Sequence, residues 1–157
     1  MIQELFLQLS TLGYFGIFLV SLIGSSTIIF PLPATVFVFG AGAVLNPLIL
    51  GVVAGMGAAL GELVGYGFGW AGRKIGKKRL KERLEKAERM FKKYGGFFAL
   101  ILFAATPLPD DIVGIVSGIL KYEIKRFFIA VLIGKIIFHL ILAYAGYYGI
   151  NWMLNYL

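Results

Sequence analysis

The chain has 157 residues, 59% of them hydrophobic and 15% charged, with a mean hydropathy of +0.87, a balance that excludes a soluble domain and indicates an integral membrane protein. It contains no cysteine and one histidine, which removes disulfides, thiolate metal sites and a cysteine nucleophile and gives no basis for a His-based zinc site. The net charge of +7 is unevenly spread: 11 of the 15 basic residues and 3 of the 8 acidic ones fall between Arg73 and Lys93, so that segment carries +8 and the rest of the chain −1.

The first ten residues, MIQELFLQLS, lack the basic and small-residue features of a signal peptide and read as mature sequence. An apolar arm then runs from Leu12 to Phe30 and meets Pro31-Leu32-Pro33. Proline lacks a backbone donor and clashes with the preceding turn, so the helix must break there. The apolar run resumes at Val36 and stops near Asn46-Pro47, which predicts a hairpin that enters the membrane and returns, with a fully spanning first arm as the alternative. Leu48 to Ala71 follows, long enough to cross about 30 Å of hydrocarbon. Gly57, Gly61, Gly65 and Gly69 recur at spacing four within it, with Gly51 and Gly55 just before. Such a stripe lets another backbone approach closely, either within the chain or in a second subunit.

Between 73 and 94 the apolar residues Ile75, Leu80, Leu84, Ala87, Phe91 and Tyr94 recur at helical steps, and Glu82/Lys86, Glu85/Arg89 and Glu88/Lys92 form favourable i,i+4 pairs. The prediction is an amphipathic helix on the cytoplasmic face, its charge orienting the protein and meeting anionic headgroups rather than nucleic acid. Beyond it, Phe97 to Thr106 and Ile112 to Leu120 have about ten residues each, half the length of a span at 1.5 Å per residue. Pro107-Leu108-Pro109 separates them, so this too reads as a re-entrant hairpin. A full span from Phe127 to Ile150 closes the chain.

An offset of 76 superposes Pro31 on Pro107, Pro33 on Pro109 and Gly42 on Gly118, giving one membrane domain of two related units: repeat 1 over about 11–72 and repeat 2 over about 95–150. With the linker inside, counting crossings makes the two copies inverted, and Lys121, Lys125 and Arg126 also fall inside. Inverted repeats with broken helices are the usual build of a secondary transporter. The fold expected is therefore an all-α integral membrane protein: an inverted repeat of two Pro-broken re-entrant hairpins plus full transmembrane helices, joined by a basic cytoplasmic helix.

Five ionisable residues are expected at one depth: Glu62 and His139 near their helix centres, Lys135 one turn from His139, and Asp110 and Asp111 after the second break. Charges there cost several kcal/mol and demand a reason. Asp110 could cap the returning half-helix with Asp111 favoured by its dipole, and Glu62 with Lys135 could be a structural ion pair beside a neutral His139. Three acids against one base leave negative charge that favours uptake of a proton or a cation such as Na⁺. These five residues are the candidate substrate or ion site; no catalytic residue, metal or other cofactor is expected.

Three stretches, "FPLPATVFVFGAGAV", "GAALGELVGYGFGWAGRKIG" and "ATPLPDDIVGIVSGILKYEIKRFFIAVLIGK", resemble the DedA/VTT (SNARE-associated Golgi protein) superfamily in a short archaeal-type form, over roughly residues 20 to 147. The likeness rests on Glu62 followed by Tyr66, the Gly72-Arg73-x2-Gly76 exit, and the proline-centred hairpin leading to Gly118 and Phe127 or Phe128. Resemblance implies a plasma-membrane lipid transporter, a flippase or scramblase for a polyprenyl phosphate or phospholipid. Bacterial relatives carry Pro-Gly-Glu where this chain has Pro33-Ala34-Thr35, and arginines where it has Ala104 and Asp110, leaving Lys135 and half-helix N-termini to meet a phosphate. The acidic pocket suits a proton-coupled exporter of a small cationic solute as the second reading. An aspartyl protease is disfavoured because adjacent Asp110 and Asp111 point about 100° apart on a helix. Homo-oligomerisation and a purely structural role are left open.

Overall fold

The structure, a computed structural model, describes residues 2–26, 34–73, 89, 91, 93, 95–106 and 111–154, with side-chain surroundings for these except 2–11, 111, 112, 151 and 154. Among the described residues the regular structure is all helical: α1 (Ile2–Ser26), α2 (Ala34–Gly42), α3 (Pro47–Arg73), α4 (Gly96–Ala104), α5 (Asp111–Ile119) and α6 (Ile124–Leu154). The proline breaks at Pro31, Pro33, Pro107 and Pro109 fall outside the described residues, as does most of the linker, of which Arg89, Phe91 and Lys93 are helical.

Among the described residues, two helices are long and apolar enough to cross a membrane, Pro47–Arg73 and, within α6, Ile124–Ile150. They match the two spans read from the sequence, the first extended at both ends and the second at its start, and for α3 the reasons are local. Asn46 caps α3: its Oδ1 accepts from Leu48 N at 3.0 Å and Ile49 N at 3.3 Å, with Pro47 at the first helical position, where no donor is needed. Tyr14 on α1 accepts from Asn46 N at 3.0 Å and ties this corner to the first helix. At the far end α3 runs on to Arg73, so the first residue counted into the basic linker belongs to the span. By contrast, α2, α4 and α5 have nine residues each, about 14 Å of rise and under half of a bilayer core.

Packing follows side-chain size in a sense opposite to that of a soluble core. Along α3 the buried positions include Gly51, Ala54, Gly55, Gly57, Ala58, Ala59, Gly61, Gly65 and Gly69, while Met56, Leu60, Val64, Phe68 and Trp70 are exposed. Small residues inside and large apolar ones outside is the pattern expected where the surroundings are hydrocarbon and helices associate by close backbone contact. Each glycine group has a definite neighbour. Gly51 and Gly55 sit against Leu140 and Ile136, so α3 and α6 run antiparallel; Gly57 and Gly61 sit against Phe18, Leu22 and Ser25, so α1 and α3 run parallel; Gly69 meets the Ile115 carbonyl of α5.

Helix α3 thus contacts α1, α5 and α6, while α2 and α4 both pack on α6. The two short-arm crossings resemble one another: the Phe39 carbonyl of α2 rests on Gly146, as the Ile115 carbonyl of α5 rests on Gly69, and Gly42 and Gly118 face the carbonyls of Ala143 and Tyr66. One buried cluster, with Tyr66, Leu100, Tyr122 and Phe127, joins the C-terminal half of α3 to α4 and α6; a second, with Val38, Leu50, Ala54 and Ala143, lies towards the opposite end.

The end of α5 is closed by a Schellman motif, in which Tyr122 N donates to Ser117 O at 3.0 Å and Lys121 N to Gly118 O at 3.1 Å. Its left-handed position is Lys121 (φ 51°), where glycine is the usual occupant. Lys121→Gly is expected to raise unfolding stability by about 1 kcal/mol, read as an upward Tm shift in detergent. Gly118→Ala places a methyl 2.7 Å from Trp70 N and against the Tyr66 carbonyl, and should cost about 1–3 kcal/mol. Gly67→Ala, with nothing within 4 Å, should leave Tm unchanged or slightly raised; equal losses for the two alanines would refute the close-crossing account.

Candidate functional site

Among the described residues, the polar ones buried in this apolar packing are few: Ser21, Glu62, Arg73, Ser117, Lys135 and His139. Lys135 Nζ of α6 lies 3.1 Å from Glu62 Oε1 of α3, and both side chains are almost fully buried, at 3% and 2% exposure. Helix geometry explains how they meet. With Gly55 opposite Ile136, Glu62 is seven residues farther along α3, about 10 Å of rise from that level. Side chains lean towards the N-terminus of their own helix, and in an antiparallel pair these two lean towards each other, so a carboxylate and a four-carbon ammonium close the gap.

His139 is one turn from Lys135 on α6, buried, with Nδ1 2.8 Å from the Lys135 carbonyl. A carbonyl can only accept, so in this contact Nδ1 carries the proton, and Nε2 of a neutral ring is the acceptor. The Phe138 ring stands edge-on to the imidazole at 5.3 Å.

The third element at the pair is α5. A Cβ on Gly114 would lie 3.1 Å from Glu62 Oε2 and 3.0 Å from the Glu62 carbonyl, so glycine lets the first turn of α5 rest on the carboxylate without displacing it. Asp111 opens α5 three residues earlier; its side chain and all of Asp110 lie outside the described residues. The structure therefore brings Glu62 and Lys135 into contact, puts His139 one turn away, and sets the helix that Asp111 begins against Glu62.

Two further residues hold α5 in place. Tyr66 donates its hydroxyl to the Tyr122 carbonyl at 2.6 Å, and Arg73 donates from Nη1 to the Ile119 carbonyl at 2.9 Å. A cation on the last carbonyls of a helix also complements its dipole. Glu62, Tyr66, Gly69 and Arg73 follow at steps of four, three and four, so one face of α3 carries α5 from its first turn to its last. The charge count assigned Arg73 to the linker; its spacing of eleven from Glu62, three helical turns, was the signal that it shares this face. Among the described residues, no group of three or more His, Asp or Glu is arranged to hold a metal ion.

A family model, the VTT domain, matches residues 32–148. The chain belongs to the DedA/VTT family. No curated protein and no solved structure matches it. The VTT match begins within the first proline break, at Leu32, spans the second break, α3, the linker and most of α6, and contains Glu62, Asp110, Asp111, Lys135 and His139, whereas α1 lies before it.

For this VTT-domain protein the buried pair makes a sharp stability prediction. Lys135→Met strands the Glu62 carboxylate and should cost about 3–5 kcal/mol, whereas Lys135→Met with Glu62→Gln should recover more than half of that. Thermal unfolding of the single and double variants in one detergent measures the coupling; additive losses would mean that the two residues act independently.

Proposed function

We propose that this DedA/VTT-family protein is a plasma-membrane lipid transporter, a flippase or scramblase for a polyprenyl phosphate or phospholipid, working through the region around Glu62 and Lys135. The observation that carries this reading is the ion pair itself, buried near the middle of both long helices among glycine, alanine and aliphatic side chains. A charge pair removed from water is seldom a net gain in stability over apolar residues of the same volume, so its place there speaks for a polar route. In this reading two re-entrant hairpins approach from opposite leaflets, forming an inverted repeat. The alike crossings of α2 on α6 and α5 on α3, with Phe39 and Ile115 at the 76-residue offset, support it.

Lys135 supplies the positive charge for a lipid phosphate, with the N-terminus of α5 as a second anion-attracting group. Glu62, Asp110 and Asp111 supply acidity beyond what one lysine balances, so the transported species is coupled to a proton or a cation such as Na⁺, and His139 offers a further proton carrier beside Lys135. The basic linker 73–94 faces the cytoplasm. Its end packs on the α5–α6 connection, where Phe91 meets Tyr122 edge-on at 5.3 Å, which sets it at the same end as Lys121, Lys125 and Arg126, as the orientation rule requires.

The test is translocation of a fluorescent phospholipid in proteoliposomes, with and without a pH gradient. Glu62→Gln and Asp111→Asn, each checked for monodispersity and melting above the assay temperature, should slow translocation by about tenfold or more, the scale of one charged interaction of about 1.4 kcal/mol or greater. Unchanged rates in both variants would remove the coupled site around Glu62, and absence of translocation by the unaltered protein would remove this function. Solute-driven proton movement without lipid translocation would replace it with the exporter of a small cationic solute.

A further inference from the structure

Two helix crossings made by α3 recur on α6 at a constant spacing. Gly57 of α3 meets the Phe18 carbonyl of α1, and Gly134 of α6, 77 residues later, meets the Ile101 carbonyl of α4. Gly69 takes the Ile115 carbonyl of α5 and Gly146 that of Phe39 on α2, while Gly118 faces the Tyr66 carbonyl and Gly42 that of Ala143, again with 77 residues from α3 to α6. At that spacing Glu62 corresponds to His139. The stripe Glu62, Tyr66, Gly69 that carries α5 is repeated as His139, Ala143, Gly146 beneath α2, so the imidazole stands to α2 as the carboxylate stands to α5. Because α3 and α6 run antiparallel with Gly55 on Ile136, Glu62 lies from that level towards Arg73 and the linker, and His139 lies the opposite way. We propose that His139 is the counterpart of Glu62 for the far side of the membrane: it exchanges the coupled proton with the face opposite the basic linker, and α2 is the gate over it.

This rests on the coupled-transport reading above and adds to it a sidedness and a moving part. His139 is 3% exposed; its Nδ1 donates to the Lys135 carbonyl, and Nε2 has no hydrogen-bond partner among the described residues. Lys135 therefore touches both groups, through its carbonyl to His139 and through its ammonium to Glu62. A proton added at Nε2 makes the imidazolium; passed to Glu62 it makes the neutral acid and restores the neutral ring. The titratable groups around His139 are Lys135 on its own helix and Glu62 on α3, with Asp111 opening α5 against Glu62, whereas α2 and α4 carry none. The cluster at this end, Val38, Leu50, Ala54 and Ala143, is apolar, so an imidazolium here gains no partner from α2 and is stabilised only when water reaches it. The two crossings also differ in how they are fastened. Tyr66 and Arg73 donate to carbonyls beyond α5, but the matching positions on α6 are Ala143 and Ile150, which bring no donor. Lifting α2 from α6 breaks no bond of that kind, and Val38, 0% exposed, is the side chain that such a movement uncovers.

The experiment uses the full chain in proteoliposomes. The sequence has no cysteine, so Val38→Cys places a single thiol, close to valine in size, in the gate, and a membrane-impermeant maleimide is added from one side or the other. Lys93→Cys in the linker and Val44→Cys at the turn after α2, both exposed, mark the two ends. Val38→Cys should label only from the Val44 end. Its rate relative to Val44→Cys, which corrects for thiolate content, should rise about fivefold as that side is taken from about pH 8 to about pH 5, the range in which an imidazole gains its proton. Adding His139→Gln or His139→Leu, each checked for monodispersity, should hold the relative rate flat, whereas Glu62→Gln should keep the rise. A rise that survives both histidine variants would overturn the proposal, as would labelling from the Lys93 end or no labelling from either side. Lipid translocation is not read here: its absence with the rise intact dismisses the lipid and keeps His139, and loss of the rise with translocation intact dismisses His139 alone.

Discussion

Gly51, Gly55, Gly57, Gly61 and Gly69 bring three neighbouring backbones onto α3 at distances that no side chain would permit. In hydrocarbon there is little hydrophobic gain from pressing leucine against leucine, since lipid tails serve as well, and association rests on close van der Waals contact and hydrogen bonds. The rest of the arrangement follows from that. With small residues spent on the inner face, the large apolar side chains are turned outward, and among the described residues Glu62, Lys135, Tyr66 and Arg73 are buried polar groups whose partners the helix crossings place beside them.

The ion pair and the carriage of α5 are two outcomes of this one packing. Because α3 and α6 run antiparallel at glycine distance, Glu62 and Lys135 lean into each other and not into lipid. Because Gly114 has no side chain, α5 settles on the same carboxylate, and Tyr66 and Arg73 then occupy the carbonyls at its far end. A short helix of nine residues has little stability of its own; here it is held by an acidic residue near its start, a glycine crossing in its middle and donors at its end. A movement of α5 relative to α3 therefore cannot leave the environment of Glu62 unchanged, which is the physical link between charge state and conformation that a coupled transporter requires.

The same economy leaves space on the other face of α5. Helices α4 and α5 gain their contacts from α6 and α3 and not from each other, so the gap between them is apolar and opens beside Phe91 of the basic segment. Membrane protein, polar pair and crevice are in this sense consequences of where side chains are absent.

Membership of the membrane class, two full spans, three half-length helices and the concentration of basic charge in one linker were all legible in the chain, because hydropathy, helix-breaking prolines and charge runs are local properties. Glu62, Lys135 and His139 could be singled out for the same reason: each is an ionisable residue in a long apolar run. What linear order could not decide was pairing. Nothing local distinguishes Glu62 meeting Lys135 from Glu62 meeting another group, or directs Gly57 towards α1 and Gly51 towards α6. Arg73 read as one more linker charge until the crossing of α3 and α5 put the Ile119 carbonyl beside it, and Lys121 read as one more inside-facing base until the chain turned left-handed there. Contacts between distant segments depend on which faces the whole assembly presses together, and only the tertiary structure sets those.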